Sequence, residues 1–382
     1  MAAIRLLPLV YAGFVMLGIP RAAEGVAWPS MAADLDQRLG ALGWLIAIHI
    51  TGYFLASIAN GPVTRRFGTG RTLVVSGMLA SASLAGYALT PNWEVLLIAA
   101  ALLGIASGMI DAAGNAYVAL RHGSRAMGFL HASFGVGTTL GPLIITWLNT
   151  SVDGGWRLGF AVFAVMQAVV TVAFWITRER WVLPEAARIQ PSSLRIPGLL
   201  PLLISFLLVA GVESGTAAWA FTYMTREVEI ADGPAGLIVA GFFASFTIGR
   251  IGMGIAGDRI TPATYLVAGS AAALGGAAVL WWNPAAWVAS LGLLVLGLGV
   301  APLFPTLMNI TPDIVGTENA SNVVGFELGA AVIGGAVIPA GIGIAIDAIG
   351  TETIPVILFG TTIVQFIALR LESSRERAVR AA

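Results

Sequence analysis

The stretch "LLVAGVESGTAAWAF", residues 207–221, lies inside an apolar run from 198 to 224 and holds one carboxylate, Glu213, near its middle. A helix needs roughly 20 apolar residues to cross the hydrocarbon of a bilayer, so the run is long enough to span. A carboxylate at the centre of such a helix costs about 2.5–3.5 kcal/mol on insertion scales, and is retained where it faces protein or water. The rest of the chain has the same character. Of its 382 residues, 57% are hydrophobic and 10% charged, and its mean hydropathy is +0.87. A soluble domain carries about 25% charged residues. The chain therefore reads as an all-α protein embedded in lipid.

Composition also removes several classes of function. Net charge is zero, without the basic excess expected for a nucleic-acid partner. Cysteine is absent, and with it disulfides, thiolate metal sites and cysteine nucleophiles. His49, His122 and His131 fall on separate segments without metal-ligand spacing. "GVGTTLG" (135–141) and "GTGRT" (68–72) are glycine-rich, yet neither follows a strand or carries the Lys-Ser/Thr of a phosphate loop. No enzyme activity, cofactor or metal is expected. The first apolar run continues to about residue 30 and many others follow, which favours a retained transmembrane helix over a signal peptide.

Apolar runs predict spans near 6–28, 41–63, 70–90, 94–118, 126–149, 156–177, 198–224, 234–256, 263–283, 286–309, 319–346 and 352–371. With the N-terminus inside, 15 of the 20 arginines fall on the cytoplasmic side. Arg38, Arg157 and Arg226 fall on the other, while Arg21 and Arg250 lie within or near spans. This positive-inside bias places both termini in the cytoplasm. The stretch "RERWVLPEAARIQPSSLR" (178–195) is the longest polar interruption and falls near the midpoint. It divides the chain into an N-terminal six-helix bundle (1–177), a cytoplasmic linker (178–197) and a C-terminal bundle with a short tail (198–382). The linker has the composition of a short interfacial helix.

A repeat relates the two halves. "GPVTRRFGTGR" (61–71) joins spans two and three, and "GIAGDRITPATY" (254–265) joins spans eight and nine, with Gly61 and Gly254 193 residues apart. Each runs from Gly to Arg across four intervening residues, at Gly61/Arg66 and Gly254/Arg259. These segments resemble the loop motif of the major facilitator superfamily, roughly G-x-x-x-D-R-x-G-R. The resemblance covers the whole chain and implies two pseudo-symmetric six-helix bundles. The first copy matches at Gly61, Arg66, Gly68 and Arg71, but Arg65 stands where the acid belongs; the second keeps it as Asp258, followed by Arg259. The resemblance gives Arg66, Arg71, Asp258 and Arg259 a gating role at the cytoplasmic helix ends. Arg250, near the same end of span eight, is assigned to gating with Asp258. Positive-inside topology alone would also place such arginines in these loops.

Three segments resemble the fucose:proton symporter-type sugar branch of that superfamily: "GMIDAAGNAYV" (108–118), "FLHASFGVGTTLGP" (129–142) and "GLGVAPLFPTLMN" (297–309). They match its fourth, fifth and tenth helices in order. Glu24 before Pro29 is an approximate match to the branch's first-helix acid.

The residues themselves point to polar faces inside the bundles. Gly104, Gly108, Asp111 and Asn115 share one face of span four. Small residues admit a neighbouring helix, so the polar pair faces protein or water. Glu213, Thr216, Trp219 and Tyr223 fall within an arc of about 120° in span seven. A carboxylate, a hydroxyl and two aromatics suit a polyhydroxy ligand, although a Trp such as Trp219 is more often packing than ligand. Asn319, Asn322 and Phe326 form a similar side of span eleven, with Glu327 turned away as an interhelical hydrogen-bonding group or a functional acid. In span one, Arg21, Glu24 and Trp28 share a face; Arg21 either pairs with Glu24 or meets an anionic solute. His49 is expected to face the cavity from span two, with Tyr53 one turn on.

The expected proton-coupling residues are Asp111, Glu213 and Glu24. Expected solute contacts are Asn115, Trp219, Thr216, Tyr223, Asn322, Phe326, Arg21 and His49. A low-dielectric cavity disfavours a charged carboxylate, which can then carry a proton. Sodium would suit the same acids. The expected activity is proton-coupled symport of a sugar or similar small polar solute by alternating access. The alternative is proton-driven export of drugs or metabolites. "GTTLGP" (137–142) matches the core of the superfamily's antiporter signature, but Leu143 and Ile144 replace the glycines expected next. The expected partners are a small-molecule solute and the bilayer, the expected state a monomer, and the expected location a bacterial inner (plasma) membrane.

Overall fold

The computed structural model describes residues 6–122, 124–181, 198–283 and 285–381. The side chains of Asp258, Asn319 and Asn322 lie outside what is described, as does the linker from 182 to 197. Among the described residues thirteen α-helices follow in chain order: α1 Leu6–Asp34, α2 Leu42–Phe67, α3 Thr69–Leu89, α4 Trp93–Arg121, α5 Ser124–Ser151, α6 Gly155–Thr177, α7 Leu199–Arg226, α8 Asp232–Ala256, α9 Pro262–Trp282, α10 Ala286–Val300, α11 Leu303–Val315, α12 Thr317–Ala348 and α13 Thr353–Ala381. Among the described residues they supply twelve segments long and apolar enough to cross a membrane, with α10 and α11 together forming the tenth.

Most helices outrun the apolar stretches that predict them. α2 continues through Arg65 and Arg66 to Phe67, and α1 continues to Asp34. Hydropathy marks where a chain crosses hydrocarbon, whereas helical hydrogen bonding continues into the interface, where arginine stems reach back along apolar surface. Trp281, Trp282 and Trp287, at the facing ends of α9 and α10, are exposed, as an interfacial belt requires.

Contacts divide the chain into two compact units, Met1–Ala186 and Ala187–Ala382. In the first, α1 packs on α5, α2 on α4 and α3 on α6. In the second, α7 packs on α12, α8 on α10 and α9 on α13, so the pairing order repeats. Glycine decides several of these contacts. A Cβ on Gly137 or Gly141 of α5 would stand 2.1 Å from the Val15 or Ile19 carbonyl oxygen of α1. One on Gly334 of α12 would stand 1.9 Å from the Leu207 carbonyl oxygen of α7. The "GVGTTLG" run is therefore a helix-packing surface.

Polar groups tie the helix ends of the N-terminal unit together. Trp156 Nε1 donates to Asp34 Oδ2 at 2.8 Å, and Arg157 donates to the carbonyls of Thr90 (2.7 Å) and Ala88 (3.3 Å). The Arg157 guanidinium also lies 4.3 Å from the Trp156 ring. Hydrogen bonds from a charged donor contribute roughly 1.5–3 kcal/mol. Arg157→Ala should lower the thermal midpoint in detergent by about 4–8 °C, at about 2–4 °C per kcal/mol for a unit of this size. Arg157→Lys should recover less than half of that, because an ammonium cannot span both carbonyls and the ring. An unchanged midpoint in Arg157→Ala would show that these bonds merely replace water.

Candidate functional site

The close approach of α2 and α4 builds the first polar site. A Cβ on Gly104 would lie 2.0 Å from the His49 carbonyl oxygen, and one on Gly108 2.2 Å from that of Tyr53. With no side chain between the two backbones, the Tyr53 hydroxyl reaches Asp111 Oδ2 at 2.7 Å. Asn115 Nδ2 donates to the Asp111 carbonyl at 3.0 Å, one turn along α4. Asp111, Asn115, Tyr53 and Arg21 are all partly accessible. The small-residue face thus positions the acid, as the spacing of Gly104, Gly108, Asp111 and Asn115 predicts.

A second acid in the same unit is sealed. Glu24 is 1% exposed, and its Oε1 accepts from the Tyr87 hydroxyl of α3 at 2.8 Å. His49 Nδ1 stands 3.6 Å from the same oxygen, and His49 is 5% exposed. This corrects the expectation that His49 faces a cavity as a solute contact, since the tight α2–α4 seam turns it inward to Glu24. Arg21 is near enough for its charge to act on Glu24, Tyr53 and Tyr87, and so belongs to both clusters. Trp28 leaves the polar face, donating to the Leu39 carbonyl at 2.6 Å and packing beside Trp93.

In the C-terminal unit the predicted face of α7 splits. Glu213 keeps 31% of its side chain accessible and meets Arg250 of α8 at 3.9 Å. The Arg250 guanidinium lies 4.2 Å from the Phe246 ring centroid, and its Nε donates to the Ala301 carbonyl at 3.4 Å. Pro305, four residues after Ala301, has no N–H to offer that carbonyl, so the arginine satisfies it where α10 gives way to α11. Arg250, expected to gate with Asp258, thus engages Glu213.

Thr216, Trp219 and Tyr223 are buried, which corrects their assignment as solute contacts. Thr216 returns its hydroxyl to Val212 of its own helix, Trp219 Nε1 donates to the Pro339 carbonyl of α12, and the Tyr223 hydroxyl to the Leu280 carbonyl of α9. Their shared direction is the packing side of α7, where buried polar tips must find main-chain acceptors. Phe326 of α12 is half-buried, while Glu327 is fully buried and accepts from Thr311 of α11, an interhelical bond of the kind that is one of its two readings. Of the loop residues, Arg66, Arg71 and Arg259 are exposed, and Arg66 lies over the Phe67 ring.

Sequence reading missed Tyr87, Phe246 and Pro305. Tyr87 alone carried a usable signal: a tyrosine inside an apolar span must place its hydroxyl on an acceptor.

Polar clusters held inside bundles of membrane-spanning helices are the structural setting of a solute pathway. The family profile described as Major Facilitator Superfamily matches residues 10–339. The chain belongs to the major facilitator superfamily. This major facilitator protein is thereby a multi-pass membrane transporter and not an enzyme; its partners are a small-molecule solute and the bilayer. It is 26% identical over 345 residues to membrane protein MosC of Rhizobium meliloti, covering 84% of this chain and 81% of that one. It is 23% identical over 349 residues to the glucose/mannose transporter GlcP of Bacillus subtilis (strain 168), covering 86% and 84%. The crystal structure of a D-xylose-proton symporter superposes with a TM-score of 0.74 at 14% identity, covering 95% of this chain and 96% of that one, and so shares the fold.

Proposed function

We propose that this transporter is a proton-coupled symporter that takes up a sugar or similar small polar solute by alternating access. The observation that carries this reading is the partly accessible Asp111, held by Tyr53 over the Gly104–Gly108 seam with Asn115 one turn away. Such a carboxylate can exchange a proton and still lie beside a polar solute. The relatives named as glucose/mannose and D-xylose carriers support the solute class. Asn115, Arg21, Phe326 and Asn322 contact the solute, and Asp111, Glu24 and Glu213 serve coupling. Arg66, Arg71, Asp258 and Arg259 act at the cytoplasmic helix ends. The positive-inside bias supports cytoplasmic termini in an inner membrane, and the monomer is the working unit.

The test is proton movement in proteoliposomes on addition of D-glucose, D-mannose, D-xylose and sugar acids. External alkalinisation with one sugar is the expected result. Silence across the panel from folded protein would overturn the reading, and proton-linked efflux of amphiphilic drugs would then install the export alternative. The fifth-helix Gly-Pro does not favour export, because Gly137 and Gly141 are taken up by packing on α1.

A further inference from the structure

Resting on the proton-coupled reading, we infer that Glu24 and His49 together hold the transported proton, with Tyr87 as their positioning residue. His49 is then a coupling residue shut away from the solute.

Three observations support this. First, the pair is sealed: Glu24 is 1% and His49 5% exposed, and the α4 backbone lies against the His49 carbonyl at Gly104. A solute hydroxyl has no route to that imidazole, whereas a proton needs only a transient file of water. Second, the pair is unfinished. Glu24 Oε2 and His49 Nδ1 have no hydrogen-bond partner among the described residues, although Nδ1 faces Glu24 Oε1 across 3.6 Å. Buried polar atoms are normally bonded. A proton on Nδ1 turns this gap into a charge-assisted N–H···O bond.

Third, one added proton balances the charges. Arg21 and Glu24 on α1, His49 and Tyr53 on α2, Tyr87 on α3 and Asp111 on α4 are the titratable groups gathered here. On the other helices packed against α1, His131 of α5 is exposed and edge-on to Phe14, and Arg157 of α6 is tied to Asp34 at the helix ends. Two carboxylates, one guanidinium and a neutral imidazole leave one net negative charge. Asp111 already receives a hydroxyl from Tyr53, and Tyr87 holds Glu24 Oε1 toward the ring. One proton entering from the aqueous phase forms the Nδ1–H bond and neutralises the cluster. The same bond breaks when the proton leaves to the opposite side, and nothing else is consumed.

The chain has three histidines, so 15N-histidine NMR of the intact protein in lipid nanodiscs resolves each. The resonance lost in His49→Gln identifies that imidazole and is followed against pH. Its midpoint should move by at least one pH unit in Glu24→Gln and by less in Tyr87→Phe. In proteoliposomes carrying whichever of D-glucose, D-mannose or D-xylose is transported, His49→Gln should cut accumulation driven by a pH gradient at least tenfold more than it cuts counterflow. A His49 signal indifferent to Glu24→Gln overturns the inference, as does a raised KM with accumulation intact. If His49→Gln does not fold, Tyr87→Phe, which loses one oxygen, must show the same bias against accumulation or the inference fails. Should wild type move sugar without protons, the symport reading falls, while the NMR coupling still decides whether the pair shares a proton.

Discussion

Gly104→Leu is expected to leave no folded transporter to assay. The first atom of any side chain at this position would stand 2.0 Å from the His49 carbonyl oxygen, and the obstacle is backbone. Overpacking a core usually costs about 1–3 kcal/mol because side chains can rearrange; here α2 and α4 would have to separate along their length. That separation would also draw Tyr53 from Asp111 and His49 from Glu24, so no partial activity should survive. Size-exclusion profiles and thermal midpoints of Gly104→Ala and Gly104→Leu would measure this. Ala should be visibly destabilised and Leu absent from the monodisperse peak. A well-folded Leu variant would mean that the two helices pack otherwise than described.

The second large effect is functional. Asp111→Asn should lower proton-driven accumulation at least tenfold while the protein keeps its thermal midpoint within a few degrees. Asparagine preserves the shape of the side chain and an oxygen for the Tyr53 hydroxyl, so the α2–α4 seam is untouched. What disappears is one negative charge. The cluster of Arg21, Glu24, His49 and Asp111 would then be neutral before any proton arrived, and the solute could cross without one. Downhill sugar counterflow should therefore fall much less than uphill uptake. Equal loss of both would move Asp111 from coupling to solute binding, and full uphill uptake would remove it from the mechanism.

The membrane spans were legible because hydropathy is a sum over about twenty residues and tolerates local exceptions such as Glu213. The α4 site was legible for a related reason: Gly104, Gly108, Asp111 and Asn115 are neighbours on one helix, and helical geometry alone places them together. Pairings between helices were not. Glu24 and Tyr87 are 63 residues apart, and nothing in either segment names the other. Arg250 lies close in sequence to Asp258, which drew it toward the loop, whereas the structure turns it to Glu213 on the preceding helix. The α7 stripe shows the same limit. Periodicity says that Thr216, Trp219 and Tyr223 point one way, but only the packing partners reveal that α9 and α12 stand there.

The tenth span is two rods meeting at Ala301 and Pro302, and the hand that grips the joint is Arg250. Its grip is shared: Nε holds the joint's bare carbonyl, while the far end of the same guanidinium leans toward Glu213. A guanidinium is rigid and planar, so its two edges do not move independently. Any event that changes the charge on Glu213 would therefore be felt as a change of load where α10 meets α11. A single side chain thus ties the joint of this span to an acid on α7.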